Sequence, residues 1–209
     1  MIHDIVDVDS FQELKVIKTT KKTFLTCFLL KGEPDNAVTV GVAYIGRQKT
    51  ICIQLDKAYK MGTIGVFEGE KITLAFEYAT KKRLPIIAVV SSGGIRVQEG
   101  TQALMQMIKM SAAVKQHHEK RLLFIAIVTN PTLGGASASF VSLADVIIAE
   151  SGATYGFSGK RIIEDTTHER LPEGFQTAEY AKQHGMIDII VNRDELKYLI
   201  RKLFRLHTK

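Results

Sequence analysis

Two runs of unbroken apolar residues, Leu84–Val90 and Leu122–Val128, constrain this chain more than any other feature. Each has the length of a strand and leaves no polar face for water, so each belongs to a strand covered on both sides. Each is followed by a glycine pair, Gly93-Gly94 in one case and Gly134-Gly135 in the other, and then by a segment of helical pattern. A strand, a tight glycine loop and a helix in repeated order give βαβ units, and hence an α/β fold around a mostly parallel sheet.

The remaining elements fit around that core. Val38–Ile45 and Thr50–Leu55 read as strands of a hairpin joined at Gly46-Arg47-Gln48-Lys49. Met61–Gly65 is a glycine-containing loop, and a helix is expected over Gly69–Thr80 with Ile72, Phe76 and Ala79 on one face. The two apolar strands are placed at Pro85–Val90 and Leu122–Thr129, with a long helix over Val97–Glu119 between them. A small-residue helix Ala136–Leu143 and a strand Val146–Ala149 follow. The last part reads as helix Thr177–His184, strand Met186–Val191 and helix Asp194–Leu206, with Asp194 as N-cap. The long helix carries Leu104, Met105, Met107, Ile108 and Met110 with little polar face, so it is buried either in the core or against another subunit.

Residues 1–35 carry fewer signals: a strand at Thr23–Leu30 and a turn at Lys31–Asn36. They read as an N-terminal extension packed on a single domain over residues 36–209. Charged residues are 24% of the chain and the net charge is +6, which means a solvated basic surface or an anionic partner. No nucleic-acid-binding motif accompanies the charge. Cys27 and Cys52 form no metal-binding or redox pair, as suits a reducing cytosol. The start, Met-Ile-His-Asp-Ile-Val-Asp, lacks the apolar core of a signal peptide, and no apolar run is long enough to cross a bilayer. A soluble, cytoplasmic protein is expected.

Chemistry in an open parallel sheet gathers where loops leave the carboxyl ends of strands, and both glycine pairs stand there. Without Cβ the backbone approaches a ligand closely, and a helix start presents free N–H groups with a favourable dipole. Each pair alone is explained by a tight turn. Two of them, at the same end of consecutive strands, form a candidate oxyanion hole. A serine hydrolase would draw on Ser91, Ser92, Ser137 or Ser139 with His117, His118, His168 or His184, but no G-x-S-x-G occurs. There is also no H-E-x-x-H zinc pattern and no phosphate-binding glycine fingerprint. Glu99 reads as a carboxylate that holds its own loop, and Glu150 as structural.

Several longer motifs carry a resemblance. Ser92-Gly93-Gly94-Ile95-Arg96-Val97-Gln98-Glu99-Gly100 resembles the S-G-G-A-R-M-Q-E motif of the β subunit of bacterial acetyl-CoA carboxylase carboxyltransferase. Leu104–Ala113 resembles that family's following L-M-Q-M-A-K-T-S-A-A helix, and Pro131–Phe140 its P-T-x-G-G-V-x-A-S-F. Ala144–Glu150, Arg161–Glu164 and Leu171–Gln176 are similar to G-D-I-I-I-A-E, R-V-I-E and L-P-E-G-F-Q. The motifs run in order from about Asn36 to the C-terminus.

The resemblance implies a crotonase (ClpP-like) fold of repeated β-β-α units. It implies transfer of a carboxyl group from carboxybiotin on a carrier protein to acetyl-CoA, giving malonyl-CoA through a stabilised enolate. Gly134 and Gly135 would polarise the thioester carbonyl, and Gly93 and Gly94 would border the same pocket. Ser92, Arg96, Lys160 and Arg161 are candidate CoA contacts, the last three by charge and loop position. The implied partners are a carboxyltransferase α-like subunit, a biotin carboxyl carrier protein and acetyl-CoA or malonyl-CoA, within a homo- or hetero-oligomer. No covalently bound cofactor and no metal are expected. The alternatives are a biotin-independent malonyl-thioester decarboxylase subunit, another crotonase-fold acyl-CoA enzyme, or a non-catalytic paralogue.

The chain departs from the family pattern in places. The family's four-cysteine zinc ribbon has no counterpart, and M-G-G-S-M-G-S is here Met61-Gly62-Thr63-Ile64-Gly65-Val66-Phe67. A-G-P-R is here Ser158-Gly159-Lys160-Arg161, and Ile95 stands where alanine is common.

Overall fold

The structure is a computed structural model that describes residues 1–14 and 36–207. A seven-stranded sheet runs through it in chain order, from β1 to β7. β2 (Val38–Ile45) and β3 (Gln48–Leu55) form the antiparallel hairpin, with the short β1 (Gln12–Glu13) on the outer edge of β2. Gly46 and Arg47 turn the hairpin at φ +58° and +72°, both left-handed, which matches the twist of the flanking strands.

The other pairings are parallel: β3 with β4 (Ile86–Ser92), β4 with β5 (Phe124–Thr132), β5 with β6 (Val146–Glu150), and β6 with β7 (Ile189–Val191). Helices cover both faces. On one side lie α2 (Val66–Lys82) and α3 (Gly100–Glu119), whose Ile72, Phe76, Met110 and Val114 pack on Ile86, Ala88, Val90 and Phe124. On the other side α1 (Ile2–Ile5) and α7 (Leu196–His207) cover Ile87, Val89, Ile125 and Ile127 with Ile5, Leu196, Ile200 and Phe204. Successive residues of β4 and β5 therefore enter opposite cores. This explains why both strands read as uninterrupted apolar runs.

The structure adjusts several expectations. The long helical segment is broken, since Val97–Glu99 is a 3-10 turn and α3 opens at Gly100 with φ +61°. The small-residue helix is shorter, α4 (Gly134–Ser139), followed by a 3-10 turn at Val141–Leu143. Asp194 is not a helix N-cap: it lies inside a 3-10 turn, Arg193–Glu195, flanked by Asn192, and α7 starts two residues later. The cap role instead appears at Thr177, which accepts a hydrogen bond from Tyr180 N–H and starts α6 (Ala178–Gln183). α5 (Lys160–Thr167) has no buried residue, so no apolar stripe announces it in the sequence. α3 faces the core with Ala103, Met110 and Val114, while Leu104, Met105 and Ile108 on its outer side remain exposed. The expected strand Thr23–Leu30, the turn residues 31–35 and Cys27 lie outside the described residues. Among the described residues no helix is long and apolar enough to cross a membrane.

Candidate functional site

β4 and β5 lie side by side in parallel register, Val90 opposite Val128 and Ser92 opposite Thr132. Both glycine loops therefore leave the same edge of the sheet. The exits are tied together: Thr129 and Thr132 hydroxyls donate to the Val90 carbonyl at 2.8 Å each, and Leu133 N–H donates to Ser92 O at 2.9 Å. The loops touch backbone to backbone. A Cβ built on Gly94 would lie 3.1 Å from Gly134 Cα, and one on Gly134 would lie 3.1 Å from Gly94 Cα. Both residues have left-handed φ, +108° at Gly94 and +61° at Gly134, so neither position accepts a side chain without strain.

Which amides are already paired follows from their partners. Gly93 N–H donates to Met61 O at 2.8 Å, Gly94 N–H to Ser92 Oγ at 3.1 Å, and Gly134 N–H to Phe157 O at 2.8 Å. These three glycines supply close approach and backbone shape, but their N–H groups are already bonded within the protein. Among the described residues, the Gly135 and Ile95 amides have no acceptor. Gly135 is in the first turn of α4, where an unpaired N–H is intrinsic to the helix. Ile95 follows Gly94 in a bridge where its neighbours make the bonds: Ile64 N–H to Gly94 O and Arg96 N–H to Ile64 O, each 2.8 Å. The two residues adjoin, because the Ile95 side chain packs directly over the Gly135 backbone. Sequence reasoning singled out the glycines and missed Ile95, whose amide is freed only by the bridge geometry.

A third segment, Lys60–Phe67, lines the other side of the Gly93-Gly94 loop. Lys60, Met61 and Gly62 all have positive φ, +44°, +57° and +65°. Ser92 Oγ donates to Gly62 O at 2.6 Å, and Ser92 is wholly buried. The hydroxyl proposed from the sequence to meet CoA is thus committed to holding this turn.

Arg96 is likewise internal, with 8% exposure. Its guanidinium donates to both Glu68 oxygens (2.6 and 3.1 Å), to Glu99 Oε1 (2.8 Å), to Thr63 O (2.7 Å) and to Thr63 Oγ1 (3.2 Å). These bonds occupy all five N–H donors of the guanidinium, leaving none for a phosphate. The contact with CoA expected from its charge is therefore corrected by its burial. Burial alone would lower the Arg96 pKa, but Glu68 and Glu99 raise it above its ordinary value. Burial would raise Glu99, but the Val66 N–H, Arg96 and Lys60 hold it below the usual carboxylate range. Gly65 N–H donates to Glu68 Oε2 at 3.0 Å at the start of α2, the half of a capping box that a glycine N-cap allows. The signal for Glu68 was present in the sequence, as a carboxylate three residues beyond a helix start.

Lys160 and Arg161 open α5, and both are exposed. Their ion pairs with Glu164 at 3.9 Å and Asp165 at 3.6 Å are long and solvated. The segment before them reaches α4 through the Gly134–Phe157 hydrogen bond. Beside it lies an apolar cavity of about 620 Å³, lined among others by Tyr155, Phe157, Phe175, Tyr180 and Met186.

The competing nucleophile reading finds no geometry. Ser91 donates to Asn130 O, Ser137 lies 2.7 Å from the Gly134 and Gly156 carbonyls, and among the described residues no serine hydrogen-bonds a histidine. No group of three or more His, Cys, Asp or Glu is placed to hold a metal among the described residues.

The family model described as the carboxyl transferase domain matches residues 1–205. Acetyl-coenzyme A carboxylase carboxyl transferase subunit beta 1 of Lachnospira eligens is 48% identical over 178 residues, 85% of this chain and 69% of that protein. The corresponding subunit beta of Clostridium kluyveri is 47% identical over 171 residues, 82% of this chain and 59% of that protein. The chain thus spans between 54% and 69% of the length of the curated relatives it matches. Among solved structures, a transcarboxylase 12S bound to hydrolysed methylmalonyl-coenzyme A aligns with TM-score 0.80 at 25% identity, over 97% of this chain and 40% of that one. A Pseudomonas malonate decarboxylase hetero-tetramer aligns with TM-score 0.82 at 20% identity over 98% of this chain and 80% of that one, a likeness of fold alone. The α/β fold is that of the crotonase-like carboxyltransferases.

Proposed function

This chain belongs to the carboxyl transferase domain family, and on that premise we propose that it is the acyl-CoA-binding, β-like subunit of an acetyl-CoA carboxyltransferase. The observation that carries the reading is the contact of Gly94 with Gly134 at two neighbouring strand exits, beside the unpaired amides of Ile95 and Gly135. A thioester oxygen held there gains charge when the α-carbon loses its proton, and fixed N–H donors stabilise that enolate. One such donor is worth about 3–4 kcal/mol of barrier. The reaction then needs no basic side chain from this chain, and the carboxylate in these loops, Glu99, is engaged by Arg96 and the Val66 N–H. Carboxybiotin on its carrier would supply the carboxyl group and an acceptor for the proton; this chain binds the acyl-CoA, orients it and stabilises the enolate.

In this reading Gly93, Gly94 and Gly134 shape the pocket and Gly135 with Ile95 donates to the oxygen. Lys160 and Arg161, exposed at the start of α5, meet the CoA phosphates, whereas Ser92 and Arg96 act on the loop from behind. A carboxyltransferase α-like subunit and a biotin carboxyl carrier protein complete the assembly in the cytoplasm.

The test is calorimetry of acetyl-CoA and malonyl-CoA with the chain and its α-like partner, followed by transfer from malonyl-CoA to biocytin. Saturable binding and acetyl-CoA release dependent on biocytin are expected. Absence of binding with the partner present rejects the reading. Release without biocytin assigns the site to decarboxylation instead.

A further inference from the structure

We propose that Arg96, with Glu68 and Glu99, is a positioning cluster that sets the Gly94–Ile95 amide for catalysis; its catalytic part rests on the function proposed above. The cluster joins three pieces of chain through side chains, in addition to the backbone bonds between the 60–64 turn and the 92–96 loop. Glu68 belongs to α2, Arg96 to the loop after β4, and Thr63 to the turn between β3 and α2. Glu68 is 1% exposed, so its charge is held inside the protein and needs its partner. Its bidentate pairing with Arg96 fixes direction as well as distance.

The second carboxylate extends the hold. Glu99 accepts from Arg96 and from Val66 N–H, at 2.8 and 2.6 Å, so the start of α2 is bound at two consecutive amides, Gly65 through Glu68 and Val66 through Glu99. A Cβ at Gly65 would run into the Glu99 carboxylate and lie 2.6 Å from Arg96 Nη1, so a side chain there displaces the cluster.

What the cluster holds is under strain. Lys60 and Met61 are non-glycine residues in left-handed conformation, and such residues persist only where surrounding bonds over-determine them. The bonds run straight to the candidate donor. Met61 O accepts from Gly93 N–H, Gly62 O from Ser92 Oγ, and Ile64 bridges Gly94 O and Arg96 N–H on either side of Ile95. A change at Arg96 is therefore transmitted to the Ile95 amide, which has no acceptor among the described residues. A buried ion pair is a weak source of stability, and hydrophobic replacements often serve as well. Its directional, five-bond arrangement at this loop is accounted for by geometry that must be held.

The test compares Arg96→Lys, the double variant Arg96→Met with Glu68→Gln, and Lys109→Gln as control. Lys109 pairs with Glu70 between α3 and α2, an ion pair that touches neither loop. Each variant is studied with its α-like partner in transfer from malonyl-CoA to biocytin, and alone by hydrogen exchange of residues 60–68 and 92–99. Arg96→Lys is expected to lower kcat about 100-fold, the scale of an ångström-sized misplacement, with KM within about threefold. Exchange in the two segments should rise at least tenfold while β5 and α3 stay protected. The double variant guards against unfolding caused by an orphaned Glu68 and should show the same kcat loss. The control should leave kcat and both segments unchanged. Unaltered exchange in folded Arg96 variants overturns the cluster as a positioning device. Loosened segments with unchanged kcat overturn its catalytic part, and an inert wild-type complex rejects the functional reading itself.

Discussion

Gly94 and Gly134, forty residues apart in sequence, meet backbone against backbone with 3.1 Å between each Cα and the Cβ position of the other. Both lie in left-handed conformation at the exits of adjacent parallel strands. Contact this close leaves no room for a methyl group on either side, and it brings the α4 amides beside those of the 93–96 loop.

Gly134→Ala combines that clash with a left-handed φ, so the loops must part. Left-handed alanine costs about 1–2 kcal/mol, which leaves most of the protein folded. Turnover depends on donor placement and should fall by about 10²–10³-fold, the effect of losing one oxyanion donor. Thermal unfolding and steady-state transfer, measured on one preparation, check the two halves. A full loss of activity with an unchanged unfolding midpoint, or the reverse, would contradict the shared cause.

Gly135 differs because its φ is ordinary and its neighbours are side chains. A Cβ there runs into Ile95, at 2.9 Å from Cδ1, and reaches Met107 Sδ at 3.1 Å. Gly135→Ala should therefore be damaging alone and largely rescued by Ile95→Ala, which vacates the space without removing the Ile95 amide. The coupling in a double-mutant cycle should reach about 1–3 kcal/mol in transition-state binding. Simple additivity would show that Ile95 does not lie over Gly135.

The fold was legible where one property dominated. Leu84–Val90 and Leu122–Val128 announced strands buried on both faces, and the Gly46 turn announced its hairpin. The glycine pairs were legible as loops at one sheet edge, but not which amides were free. Gly94 looked like a donor, yet its N–H is taken by Ser92 Oγ, a bond set by the turn 30 residues earlier through Gly62 O. Arg96 looked like a phosphate ligand because sequence gives charge without burial. Its partner Glu68 lies 28 residues away on another element. α5 was missed because its residues bury nothing, and Asp194 was misplaced because a 3-10 turn intervenes before the helix.

Cys52 lies in β3, fully buried in the core under α1 and α7, and burial pushes its thiol up to about 12. Since the thiolate is the nucleophile, Cys52 should not react with a thiol reagent at pH 8 on the timescale of minutes. Adding about 6 M guanidinium should expose it at once. Rapid labelling in native buffer, mapped by peptide mass to Cys52 and not Cys27, would mean that β3 opens readily.

His117 offers a pH test that is independent of the glycine loops. It is fully buried in α3, edge-on to Phe76, with Nδ1 3.0 Å from Thr80 Oγ1. Burial is the main cause that lowers its pKa to about 4, with the neighbouring His118 acting in the same direction and the Leu123 carbonyl and Asp145 opposing. In the unfolded chain an ordinary histidine titrates near 6.5. Between those two values the unfolded chain binds a proton that the folded chain refuses, so stability falls as pH falls through this window and is fully present above it. The shift corresponds to at most about 3 kcal/mol lost by pH 4. Urea unfolding of the wild type and of His117→Gln should therefore converge as pH drops from 7 to 4.5, because glutamine has no proton to take up. Parallel curves over that range would mean that His117 is already solvated and titrating normally in the folded protein.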